Sequence, residues 1–584
     1  MASRSTCRRE AFSFVLNIRR SLTVQENNLK PRRASHAVIG IAALITAFSC
    51  YAHTSKKHHK TLPVVPTPVT SPSQIGPQSD VTTQWGTVSE PAWPTVVCGT
   101  PLQAKLMPVD GSVDTLDADP ANSQPDTARI QAAIDACPAG QAVKLTMGYA
   151  GESGFLSGPL QLKSGVTLWI DRGVTLFASR NPANYDNGVG TCGTATVAKT
   201  KSCNPLILAS NTTGSGIVGE GVIDGRGGSL LTSGPNAGKR SWWDVAYQNK
   251  SAGLNQQNPR LVQVSKGAAF TLHGITLENS PNFHIVIDSV AGATAWGIKI
   301  LSPSLEYTKA GYACPSGTTP DVRTPATCFT PDTVKNTDGF DPGQSSNVLL
   351  AYSYISTGDD HVAVKASKAP VSQNLVFAHN HFYYGHGMSI GSETNSGVSN
   401  VLVTDLTMDG HDSPNGNGLR IKSDSSRGGV VRNVRYENVC MRNVHQPLVF
   451  DPYYSSAKGS LYPSFTGVVI SGFRDLGSAA SAGSQVTFSG YAANGVEKPL
   501  EITLDNVVFD GVQPTLAQGH NGSPSVLPAY AHFTLGPGPV SFANSIVTST
   551  ANDVTVSGSP GNAVPVDCSC AFVPLKSVLP DSPI

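Results

Sequence analysis

The chain has 584 residues, of which only 14% are charged, against about 25% in an ordinary soluble domain. Its 57 glycines and 41 prolines stay below the ~25–30% that signals disorder, and the scarcity of Glu and Lys excludes a coiled coil or helical array. A formal net charge of +1 provides no general basic face for nucleic acid.

The first element in chain order is expected to be removed. Residues 37–49 form an apolar run, preceded by Arg32 and Arg33 and followed by the small-x-small sequence Cys50-Tyr51-Ala52. Such a run is too short to span a membrane. It reads as a signal peptide over 1–52 with a long basic region, the bland alternative being a buried helix. Its loss takes away eight of 41 basic and two of 40 acidic residues and leaves a net charge of −5. The mature chain is read as a secreted, extracellular monomer with no membrane attachment. Nine cysteines remain. Cys98/Cys137, Cys192/Cys203 and Cys314/Cys328 are plausible local pairs in an oxidising compartment. Cys440 lies in an apolar run and reads as a buried thiol, and Cys568 and Cys570 have no obvious partners.

Residues 53–95 are rich in Pro, Thr, Ser and Val and read as a linker or tail. From there to residue 584 no second break occurs, so 96–584 reads as one domain. The only convincing amphipathic helix is Asp126–Ala136, with Ile130, Ala133 and Ile134 on one face. Everything after it is short β-branched segments, such as Val166–Ile170 and Leu261–Val264, separated by Gly, Asn, Asp and Ser. An Asn that opens an aliphatic strand recurs at Asn347, Asn374, Asn400 and Asn433. Periods of this length without a helix in each repeat predict an all-β solenoid, a parallel β-helix, with the single early helix capping its open end. A propeller would need blade signatures that the sequence lacks.

Polar groups recur at a fixed phase of this repeat. Asp359 follows Asn347, and His386 follows Asn374, by the same twelve positions. Arg420 comes later after Asn400, and extra residues in His411–Gly418 account for the excess. Residues at one phase stack on one face, with coils ~4.8 Å apart. Asp338, Asp359 with Asp360, His386, and Arg420 with Lys422 thus form one stripe over about four coils. Crowded carboxylates raise the pKa of at least one of them, and a neutral acid beside ionised neighbours suits glycoside hydrolysis. Arg420 and Lys422 flank Ile421, share a strand side and can hold one anion. Each piece alone has a bland reading: a turn, a loop histidine, a solvated strand face. Their order and phase favour a site.

Asn336-Thr337-Asp338, Gly358-Asp359-Asp360, Gly385-His386-Gly387 and Arg420-Ile421-Lys422 resemble the four signature motifs of glycoside hydrolase family 28, the polygalacturonases. The resemblance covers most of 95–560 and, at Gly387–Glu393, is similar to the bacterial secreted members. It implies a right-handed parallel β-helix with no cofactor and no metal, and a pectin or polygalacturonate substrate. It further implies inverting hydrolysis of α-1,4 bonds. Asp359 would be the general acid, Asp338 and Asp360 the bases that activate water, and His386 the support of the acid. Arg420, Lys422 and Asn336 would bind substrate, with a tyrosine at Tyr454, or its rival Tyr453. Inversion carries an expected acid–base separation of ~6.5–9.5 Å. The shortness of 53–95 favours endo action. The rivals are an exo-acting or rhamnogalacturonan hydrolase, a calcium-dependent pectate lyase, and a β-helical adhesin that binds polysaccharide without cutting it.

Overall fold

A computed structural model describes residues 78–198, 201–315, 328–478, 483–493, 495–520, 523–525, 527–548 and 553–584. The expected signal peptide, and residues 53–77 of the expected linker, lie outside them. The described chain is a right-handed parallel β-helix in which nearly all strands belong to one continuous ladder. Alternation sets each strand. Val166–Ile170 turns Val166, Leu168 and Ile170 inward and leaves Thr167 and Trp169 on the outer side, the period-two pattern of a strand with one face in the core.

Coils stack residue on residue, so one inward position becomes a column. Leu168, Ile217, Leu272, Ala295, Leu350 and Phe377 lie one above another. Val403, Tyr436, Ile470 and Leu504 continue the column, and all are buried. Burying each larger side chain contributes about 1.5–3 kcal/mol. The stack continues through Leu500–Phe509, Ala531–Leu535 and Thr555–Gly558, beyond Gly477, where the sequence repeat weakens.

The recurring asparagines make a second column. Asn347, Asn374, Asn400 and Asn433 all have φ between 54° and 58°, left-handed turns that Asn tolerates better than most residues. The Nδ2 of Asn374 donates to Oδ1 of Asn347 at 3.1 Å, Asn400 to Asn374 at 3.1 Å, and Asn433 to Asn400 at 3.2 Å. The longer last repeat is absorbed where expected, by two register shifts between Asp409 and Asn417.

The helix Thr127–Ala136 buries Ile130 and Ile134 at the first coil, held by the Cys98–Cys137 disulfide. Cys192–Cys203 and Cys314–Cys328 also pair as expected. Three features differ from the sequence reading. A second helix, Trp242–Ala252, starts at a Ser241/Asp244 capping box; its apolar residues crowd into the first turn, so no 3.6-residue stripe marks it. Residues 78–95 are not linker: a hairpin of Val81–Thr83 and Gly86–Val88 packs Val81, Trp85 and Val88 on Trp296, Leu349 and Val376. Cys440 is not a free thiol but pairs with Cys568. Its neighbours Val439 and Met441 point inward, so Cys440 points outward and is buried only because the C-terminal segment covers it.

The ladder yields a stability test. Asn374→Ala removes one donor and one acceptor from the interior of the ladder, at about 0.5–1.5 kcal/mol each, and forces Ala into a left-handed turn at about 1–2 kcal/mol. Urea unfolding should show a loss of about 2–5 kcal/mol. Asn374→Gly, which relieves the backbone cost, should lose about half as much; equal losses would assign the whole effect to the side-chain ladder.

Candidate active site

One sheet of the solenoid carries every residue of the predicted stripe. Its register pairs Phe340 with Val362, Val362 with Met388, and Met388 with Leu419. Asp338, Asp360 and His386, each two residues ahead of these positions, therefore occupy the same phase in three consecutive coils. Arg420 and Lys422 lie on the fourth, paired with Ser389 and Gly391. Gly387, at φ 103°, is required by close approach, because a Cβ there would stand 2.4 Å from the Gly418 carbonyl of the next coil.

The three carboxylates present one oxygen each within 4.8 Å of one another. Asp338 and Asp360 are brought together because they stand one coil apart at the same phase, and Asp359 precedes Asp360 in the chain. Asp359 is the half-exposed member, while Asp338 and Asp360 are buried. His386 Nδ1 lies 3.2 Å from Asp359 Oδ1. The backbone N and Nδ2 of Asn336 approach Asp359 Oδ2 at 3.2 and 3.4 Å, and Gln256 Nε2 donates to Asn336 Oδ1 at 2.9 Å. Asn336 thus orients the acid in this structure. Asp360 is fixed by Ser389 Oγ at 2.8 Å on Oδ1 and by Lys422 Nζ at 2.7 Å on Oδ2.

The two cations differ. Lys422 is committed to Asp360, whereas Arg420 reaches it only at 3.8 Å and retains donors for another anion. Tyr454 covers both, its ring centroid 5.2 Å from the Arg420 guanidinium and 5.1 Å from Lys422 Nζ. Tyr453 turns away and stacks on Tyr491.

Charge is divided unequally. Burial, the neighbouring Asp359 and then Asp341 hold the Asp338 carboxyl well above its ordinary range, and its Oδ1 is buried without a hydrogen bond. Burial alone would raise Asp359 too, but His386, assisted by Lys422, overrides it and keeps that carboxyl below its ordinary range. Beneath the trio, burial lifts Asp341 to about 7 against the pull of Lys365. Lys365 and Arg427 overcome burial at Glu393 and bring it to about 2. The arrangement offers one buried carboxyl whose proton is held more tightly than usual, a second fixed by a lysine and a serine, and a third beside an imidazole. That set can protonate a leaving oxygen and deprotonate water.

Comparison with known proteins decides the family. The model of glycosyl hydrolases family 28 matches residues 137–523, a span that contains every residue of this site. The chain belongs to that family. It is therefore a glycoside hydrolase, of the polygalacturonase type. A polygalacturonase of Ralstonia solanacearum is 69% identical over 509 residues, covering 87% of this chain and 96% of that protein. An endo-polygalacturonase of Pectobacterium carotovorum subsp. carotovorum is 44% identical over 388 residues, covering 66% of this chain and 85% of that one. The solved polygalacturonase from Erwinia carotovora ssp. carotovora superposes with a TM-score of 0.59 at 40% identity, over 75% of this chain and 99% of that chain.

Sequence reasoning missed several members of this family site. Ser389 was legible only as part of Gly387–Glu393; it pairs with Ala363 on the coil of Asp360, to whose Oδ1 its hydroxyl donates at 2.8 Å. Gln256 lies 80 residues before Asn336 and carried no signal. Lys365, Asp341 and Glu393 sit on neighbouring coils at phases that the stripe did not include.

The raised Asp338 carboxyl has a stability consequence. Its folded pKa exceeds the unfolded value, so the fold loses stability as pH rises beyond about 4, where the unfolded chain ionises first. Asp338→Asn should melt at a higher temperature than the parent at pH 7, and the gap should close below about pH 4. Activity of the same variant should fall by at least about 10²-fold, the scale of a lost acid–base group. Melting curves across pH, beside reducing-sugar assays, check both.

Proposed function

We propose that this enzyme hydrolyses α-1,4 bonds between galacturonate units of polygalacturonate and pectin at internal positions of the chain, with inversion at the anomeric carbon. The observation that carries the reading is the carboxylate trio, with its imidazole on one side and the Arg420/Lys422/Tyr454 platform on the other. Asp359 would give its proton to the leaving oxygen. It starts as half of a proton-sharing pair with His386, and a bound sugar that excludes water favours the neutral form of that pair, with the proton on the carboxyl. Asp338 Oδ1, an acceptor without a partner, would help hold the attacking water, and Asp360, whose oxygens each keep a second lone pair, would take its proton. Asp360 is a poor covalent nucleophile, since Ser389 and Lys422 already engage both its oxygens. That supports direct displacement despite the short carboxylate spacing.

Endo action is supported by the packing of residues 78–95 on another face, which leaves them no part in closing the groove, and by the likeness to an endo-polygalacturonase. Digestion of polygalacturonate should release a mixture of oligomers early; monomer or dimer alone from the start would mean exo action. NMR of the first product should show the β-anomer, and an initial α-anomer would indicate a covalent intermediate. Asp359→Asn should lower kcat by several orders of magnitude with little change in binding.

The two cations should separate by substrate. Arg420→Gln should lose more kcat/KM on polygalacturonate than on highly esterified pectin, whose ester offers the guanidinium no counter-charge. Lys422→Met strands the buried Asp360 charge, a change that typically costs about 3–5 kcal/mol, and should impair both substrates alike. An ester-dependent loss for Lys422→Met and none for Arg420→Gln would reverse the assignment.

A further inference from the structure

A cavity of about 530 Å³ lies on a different sheet from the active site, and its walls are acidic. Asp224 and Glu278 stand at paired positions on adjacent coils. Asp110 and Glu306 come from the connections that flank them. Asp581, from the C-terminal segment, closes the cavity, with its carbonyl accepting from Leu305 N at 2.9 Å. Five carboxyl groups therefore line one space, and neither Lys nor Arg lines it.

Glu278 makes the arrangement more than an acidic patch. It is 7% exposed, it faces the cavity, and its carboxylate has no hydrogen-bond or ion-pair partner among the described residues. A buried carboxylate left this way costs several kcal/mol unless a cation or a proton compensates it. Its neighbour Asp224 is already oriented, accepting from Arg226 N at 2.8 Å and Asn279 Nδ2 at 3.3 Å. We infer that this cavity is a binding site for a partly hydrated hard divalent cation of the calcium class, held directly by no more than two of Asp224, Glu278, Glu306 and Asp581 and through water by the others.

The donor set is all oxygen, as calcium prefers, and calcium accepts six to eight ligands with waters among them. Among the described residues only the catalytic trio brings three carboxylate oxygens within 4.8 Å of one another. The cavity's carboxylates stand further apart, so the ion would keep part of its water shell. Its role would be to tie the end of the chain to two coils and to the turn Leu305–Tyr307, which leads toward Asp338.

Calcium and terbium are the probes, with the whole mature protein stripped of metal by a chelator and no polysaccharide present. Millimolar calcium at pH 8 should raise Tm by several degrees. Terbium should give sensitised emission on tryptophan excitation, since Trp243 packs edge-on to Tyr307, the residue after Glu306. Glu278→Gln should abolish both effects, and Asp338→Asn should keep both. Asp581→Asn, near the chain end, should weaken them and serves if Glu278→Gln does not fold. Loss of the effects in Asp338→Asn and their retention in Glu278→Gln would place the ion at the catalytic trio and overturn the inference. A Tm that calcium leaves unchanged in the parent protein would overturn it too.

Discussion

Everything in this enzyme follows from one constraint: each coil lies directly on the one before, residue for residue, at the strand spacing. On the inside this is favourable, because columns of aliphatic and aromatic side chains fill the solenoid without cavities being forced on any coil. On the outside the same constraint acts on whatever the sequence places at one phase. Phe340 over Val362 over Met388 fixes Asp338, Asp360 and His386 in a row, whether or not their charges agree. The close approach of three carboxylates is therefore a product of backbone register, and the surrounding groups adapt to it. Lys422 and Ser389 hold Asp360, His386 and Asn336 hold Asp359, and burial beside Asp359 pushes the Asp338 carboxyl up.

That division bears on how an enzyme with a formal net charge of only +1 handles a polyanion. Global attraction is not available, so the field near the scissile bond must be shaped locally. Lys365 and Lys422 sit under and beside the trio and cancel much of its charge, while Arg420 keeps its donors free beneath Tyr454. His386 stands 3.2 Å from Asp359 and offsets the burial of that carboxyl, so the one partly exposed member of the trio is the one paired with an imidazole.

The all-β solenoid and most of the site were legible because both are periodic. The Asn column announces the period, the ladder of amide bonds explains it, and the four motifs sit in phase with it. The pairs Cys98/Cys137, Cys192/Cys203 and Cys314/Cys328 were legible because they are local. What escaped was non-local or aperiodic. Cys440 and Cys568 are 128 residues apart, and only the outward phase of Cys440 between inward Val439 and Met441 hinted at a partner. Gln256 reaches Asn336 across a long connection. Trp242–Ala252 hid because its apolar residues do not spread along a helical face.

The terminal arms show the same logic at the scale of whole faces. A parallel solenoid has three outer faces, and a flat apolar face left open invites association. Residues 78–95 cover the face that carries Trp296, Leu349 and Val376. The C-terminal helix Leu575–Val578 covers the face that carries Leu301, Tyr354 and Tyr383, and Cys440–Cys568 pins that segment to the coils. Closing so long a loop covalently removes more unfolded-chain entropy than a local disulfide does. The contacts of both arms fall on these two faces. The third face carries Asp360, Arg420 and Lys422, and its polar stripe makes it the one face that can stay in water and meet a polysaccharide without a cover. Solubility and catalysis therefore ask the same thing of the sequence: apolar outer positions where an arm returns, and charged ones where substrate must lie.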